Sequence, residues 1–122
     1  MAKILLVEDD QNIRQIYSQI LTDAGFELDI AQDGEEGLKK AQEGGYDLIL
    51  LDIMMPKKDG ISVLKDLKDK PPLSPNKKII MLTVLSTYES IKSALELGAE
   101  GYFVKSQLTP EQVVKQVKSY LS

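Results

Sequence analysis

A chain of 122 residues is long enough for one domain with a buried core and too short for two, so one functional site is expected. Its 43% hydrophobic and 28% charged residues fit a globular fold, while a formal charge of −4 with fifteen scattered basic residues argues against nucleic acid or an anionic membrane as the main partner. With no cysteine and no histidine, disulfides, thiolate sites, Ser-His-Asp catalysis and the usual zinc ligands are excluded, and any chemistry falls to carboxylates, hydroxyls and lysines.

The first apolar run, Ile4 to Val7, has strand length and leads into Glu8-Asp9-Asp10. Four apolar residues ahead of three acids are too few for a signal-peptide core, and no later run approaches a membrane span, so a cytoplasmic location is expected. Ile13, Ile16, Tyr17, Ile20 and Leu21 then recur at helical spacing, a single stripe with Gly25 as the expected C-cap. Phe26, Leu28 and Ile30 alternate with Glu27 and Asp29, which predicts a half-exposed strand at a sheet edge. Asp33 with Glu36 resembles a capping box for a second helix through Leu38 and Ala41, stopped by Gly44-Gly45. Leu48 to Leu51 is a buried-strand run ending in Asp52. Ile61, Leu64 and Leu67 mark a third helix closed by Pro71-Pro72, and the three prolines of residues 70–77 read as a rigid surface connection. Ile79 to Leu82 is the next strand, Ile91, Ala94 and Leu95 a helix ending at Gly98, and Tyr102-Phe103-Val104 a short edge strand. Thr109-Pro110-Glu111 opens the last helix, through Val113, Val117 and Leu121.

Five βα units in one domain, residues 1–122, predict an α/β fold of the flavodoxin-like, doubly wound type: a five-stranded parallel sheet in the order 2-1-3-4-5 with five helices. Such sheets bind ligands beyond the carboxyl ends of their strands, near the point where strand order reverses. There the first strand delivers Glu8, Asp9 and Asp10, the third Asp52, the fourth Thr83 and the fifth Lys105. Singly, most have plain structural readings: Asp10 as a helix cap, Thr83 as a β-branched strand residue, Lys105 as a solvated terminus and Tyr102 as a core aromatic. Asp52 is harder to place, because a carboxylate ending a buried central strand beside other acids needs a cation. Oxygen ligands alone select a hard ion, and Mg²⁺ takes one or two carboxylates while keeping exchangeable waters.

Together these residues resemble the receiver domain of bacterial two-component response regulators, over the whole chain. LLVEDD is similar to that family's acidic pair after the first strand, here Glu8 and Asp9, and LLDIMMPKKDG to its phosphoacceptor strand with the Met-Pro-x-x-Asp-Gly loop. The resemblance implies Asp52 as phosphoacceptor, Thr83 as the hydroxyl and Lys105 as the lysine that contact the phosphoryl group, and Tyr102 with Thr83 as the switch pair. It implies Mg²⁺ held by Asp9, Asp52, the backbone carbonyl of Met54 and, through water, Glu8. The implied partners are a sensor histidine kinase or phosphotransfer protein, and an output domain or downstream protein on the face of the fourth helix, fifth strand and fifth helix. A phosphorylation-dependent homodimer would use that face too. No direct contact with nucleic acid or membrane is implied. The chain departs from the family at Ser106, where a proline usually follows the lysine, at Val84, which is bulkier than usual, and at Met54 and Leu85, which are both apolar.

The function expected is a phosphorylation-dependent signalling switch that assists its own modification and is not an enzyme in the usual sense. Three alternatives compete. An aspartyl-nucleophile phosphatase of the haloacid-dehalogenase type requires a second acid two residues after the nucleophile, where Met54 stands. A flavodoxin requires hydroxyl and glycine donors in the loop where VEDDQN presents carboxylates. A pseudo-receiver that is never phosphorylated has no need of the full residue set.

Overall fold

The computed structural model describes residues 2–83, 88–105 and 108–122. Strands β1 (Lys3–Val7), β2 (Glu27–Ala31), β3 (Leu48–Asp52), β4 (Ile79–Thr83) and β5 (Gly101–Val104) alternate with helices α1 (Gln11–Asp23), α2 (Gly34–Glu43), α3 (Gly60–Asp69), α4 (Tyr88–Glu96) and α5 (Pro110–Leu121). All neighbouring strands pair in parallel, in the order β2-β1-β3-β4-β5, as the βα alternation predicts. None of the helices is long and apolar enough to cross a membrane, among the described residues.

The two-residue pleat divides the core. Leu5, Val7, Ile49, Leu51 and Met81 face α2, α3 and α4, burying Ala41, Val63, Leu64, Leu67 and Ala94. Ile4, Leu6, Leu48, Leu50, Ile80, Leu82 and Phe103 face α1 and α5, burying Tyr17, Leu21, Val113 and Val117. Continuous apolar strands are therefore required in the sheet centre, whereas β2, at the edge, is only half buried.

Several local expectations shift slightly. Ile16 and Leu95 are exposed, because the buried line of α1 runs through Tyr17 and Leu21 and that of α4 through Ala94. The C-cap of α1 is Ala24, with Gly25 following it at φ +95, the left-handed stop that favours glycine. Asp33 caps α2 by accepting from the Glu36 amide, but Glu36 reaches back to Gln32 and not to Asp33, so the capping box is half formed. α5 carries a complete one between Thr109 and Gln112. The proline-rich connection is anchored by Asn76, which donates to the Ala41 carbonyl (2.9 Å) and accepts from the Tyr46 amide (3.1 Å).

Candidate functional site

Parallel strands put every carboxyl end on one rim, and the pairing register aligns Val7 with Leu51, and Asp52 with Leu82. The pleat sends Glu8, which continues the β1 ladder through its amide to Ala31, and Asp52 towards the α1 and α5 side, in line with Leu6 and Leu50. Glu8 is fully buried and Asp52 is 4% exposed, while Asp9 lies open to solvent. Carboxylate oxygens of these three acids lie within 4.8 Å of one another.

Lys105, just beyond β5, is the cation the cluster requires. Its ammonium donates to both Glu8 oxygens at 2.8 Å and to Asp52 at 3.0 Å. One lysine therefore serves two buried carboxylates, and the deficit falls on Asp52. Burial, followed by the neighbouring Glu8, raises the Asp52 pKa to about 8, and Lys105 only partly offsets this. Burial pulls the Lys105 pKa down, but its bonds and charge pairing with Glu8 and Asp52 outweigh that, so its net shift is upward. Glu8 thus appears as the chief partner of the lysine, a role that its place in the acidic pair did not signal.

The surrounding loops hold Asp52 in position. Asp59 N-caps α3 by accepting from the Ser62 amide, and the Gly60 amide donates to the Ile53 carbonyl. A Cβ at Gly60 would lie 2.3 Å from the Asp52 carbonyl oxygen, so only glycine lets α3 begin this close to the acceptor strand. In the intervening loop Lys57 adopts φ 68, within a tight turn closed by the Lys58 amide on the Pro56 carbonyl, and pairs with Asp33 at 3.4 Å. Arg14, unmarked by any motif, donates to the carbonyls of Glu8 and Asp9 (3.0 and 3.2 Å) and fixes the loop that presents the acids. Asp10 caps α1 through the Ile13 amide, as expected of it.

Thr83 is buried at the end of β4, in register with Val104. Tyr102 is 43% exposed, pointing away from the core that holds its neighbour Phe103, and α4 adds exposed Tyr88 and Leu95. Met54 is 71% exposed. Val84, Leu85 and Ser106 lie outside the described residues. The Glu8, Asp9 and Asp52 oxygens fit a hard divalent cation: an all-oxygen donor set, open on the Asp9 side, with more negative charge than Lys105 neutralises.

Comparison with known proteins agrees with this geometry. Residues 4–118 match the family described as response regulator receiver domain. The chain is 37% identical to the chemotaxis protein CheY of Treponema pallidum over 122 residues, covering 98% of this chain and 82% of that one. It is 42% identical over 104 residues to the transcriptional regulatory protein DltR of Streptococcus agalactiae, covering 84% of this chain and 45% of that one. It thus spans about half the length of the curated transcriptional regulators that it matches. Among solved structures, the response regulator protein TrrA of Thermotoga maritima in complex with Mg(2+)-BeF superposes with a TM-score of 0.82 at 39% identity, over 99% of this chain and 100% of that one.

Proposed function

The chain belongs to the response regulator receiver family, whose members are phosphorylation-dependent switches, and on that premise we propose that Asp52 takes up the phosphoryl group. The observation that carries this reading is the meeting of Asp52 with Asp9, Glu8 and Lys105 at the end of the central strand. An Asp52 oxygen attacks the phosphorus of a phosphohistidine on a sensor kinase or phosphotransfer protein. A P–O bond forms as the P–N bond breaks, and the leaving imidazole nitrogen keeps the electron pair. Lys105 and the Thr83 hydroxyl bind phosphoryl oxygens where negative charge gathers. Asp9, Asp52, the Met54 carbonyl and, through water, Glu8 would hold Mg²⁺, whose charge lets a phosphate dianion approach three acids and keeps Asp52 ionised.

Output passes through Thr83 and Tyr102. Movement of Thr83 towards the phosphoryl group draws Tyr102 inward and changes the face of α4, β5 and α5, where Tyr88, Leu95 and Tyr102 are exposed in the resting form. That face serves an output domain, a downstream protein or a second copy. Residues 1–122 act as one receiver unit, cytoplasmic, either alone or as part of a longer regulator, and release no product to solution as an enzyme would. The haloacid-dehalogenase alternative fails at Met54, an exposed thioether where that chemistry needs an acid.

Asp9 tests the reading without disturbing the buried pair. Asp9→Asn should raise the Mg²⁺ concentration for half-maximal phosphorylation by acetyl phosphate roughly tenfold or more, with unchanged unfolding in the absence of metal. An unaltered Mg²⁺ requirement would count against the proposed ligand set.

The lifetime of the phosphoryl group gives a separate prediction. Hydrolysis needs a water in line with the bond, and the exposed Met54, two residues beyond Asp52, has a thioether with no strong donor or acceptor to orient one. Met54→Asn should accelerate decay by roughly 5- to 150-fold, the range that one oriented hydrogen bond supplies. Decay is followed after donor removal, separately from loading; an equal or slower rate would show that residue 54 does not limit hydrolysis.

A further inference from the structure

Below the site, on the α1 and α5 side of the sheet, one polar atom has no role in the reading above. Tyr17 is 7% exposed within the cluster that contains Leu6, Leu50 and Phe103, and its hydroxyl is the one buried side-chain oxygen or nitrogen without a hydrogen-bond partner among the described residues. Phenylalanine would fill that space without stranding a hydroxyl, so the oxygen calls for an explanation. The pleat directs Glu8 and Asp52 to this same side. Burial pushes the Tyr17 pKa up, the Lys105 charge pulls it down and the Glu8 charge pushes it up, so the phenol lies within electrostatic reach of both partners of the ion pair.

We propose that Tyr17 is a positioning residue for Glu8: its O–H is idle at rest and donates to the Glu8 carboxylate when Lys105 turns to the phosphoryl group on Asp52. The proposal rests on the reading of Asp52 as phosphoacceptor. At rest the Lys105 ammonium bonds both Glu8 oxygens and compensates the carboxylate charge, and the Tyr17 hydroxyl makes no hydrogen bond. Once the lysine moves, Glu8, fully buried, loses its charge partner, and an uncompensated buried carboxylate is strongly unfavourable. A phenol held in position by the core supplies the missing donor at no cost in ordering, since its ring is already fixed. Tyr17 thereby favours the phosphorylated arrangement, at the expense of an unpaired hydroxyl in the resting one.

The test is Tyr17→Phe, with beryllofluoride plus Mg²⁺ as the phosphoryl probe. In the absence of metal, the variant should unfold at the same temperature as the parent or higher, because it loses only an unpaired group. Its beryllofluoride affinity should fall about tenfold, the equivalent of one 1.4 kcal/mol hydrogen bond. In the parent, the Tyr17 ring carbon that bears the hydroxyl should shift in the NMR spectrum on beryllofluoride addition. Equal affinity in the two proteins, or a metal-free variant less stable than the parent, would overturn the proposal and leave the Asp52 reading intact. A parent chain that fails to bind beryllofluoride would overturn that reading and this proposal with it.

Discussion

Lys105→Met should be the most damaging single substitution in the site, lowering stability at neutral pH by about 3–5 kcal/mol and slowing phosphorylation at least about a hundredfold. The ammonium is the cation that the structure places on Glu8 and Asp52, at 2.8 to 3.0 Å, and both acids are buried. Methionine keeps the apolar stem but leaves both acids without the ammonium that bridges them. The loss should shrink as pH falls through about 8, because Asp52 takes up a proton there and no longer needs the ammonium. The Lys105 pKa is raised above its ordinary 10.5, so the ammonium itself is charged at both pH 5 and pH 8, and the part of the stabilisation that depends on its own proton is lost only as pH rises through the higher folded value. Denaturant titrations of both proteins at pH 5 and pH 8 provide the check. An equal destabilisation at the two pH values would show that the stem, and not the charge, is what the fold requires.

Asp52→Asn should do the reverse to stability while removing function. The Asp52 pKa is about 8 in the folded protein against an ordinary 3.8, so between these values the folded chain holds a proton that the unfolded chain has lost. Stability therefore falls as pH rises through that window, and the amide, which does not titrate, escapes the loss. Without metal, the variant should be more stable than the parent by on the order of 1–3 kcal/mol at pH 8 and nearly equal to it at pH 4. Mg²⁺ at a hundred times its dissociation constant should then stabilise the parent by about 2.7 kcal/mol, and the variant far less. A parent and variant with parallel pH profiles would mean that Asp52 is not perturbed by its surroundings.

Most of this arrangement was legible from local pattern. Ile4 to Val7, Leu48 to Leu51 and Ile79 to Leu82 are unbroken because their strands are covered on both faces, and the alternation from Phe26 to Ile30 marks the edge. Strand order placed Asp9, Asp52, Thr83 and Lys105 on one rim before any side chain was located. Less legible were features that depend on contacts between distant elements. The bond from Lys105 to Glu8 joins residues 97 positions apart, and Glu8 looks from its neighbours like a solvent-facing acid. Tyr17 fits a helical stripe as an ordinary core residue, and only the packed structure shows its hydroxyl to be unpaired. Ile16 and Leu95 carry the correct period but sit at the margins of their stripes, a distinction set by how each helix is rotated against the sheet.

The central claim is that Asp52 accepts a phosphoryl group in a reaction that depends on Mg²⁺, and intact-mass measurement after incubation with acetyl phosphate tests it most directly. The parent should gain the mass of one phosphoryl group when Mg²⁺ is present and none when it is chelated, and Asp52→Asn should gain none under either condition. A parent that remains unmodified with donor and Mg²⁺ in excess, or an Asp52→Asn variant that is modified to the same extent as the parent, would contradict the account.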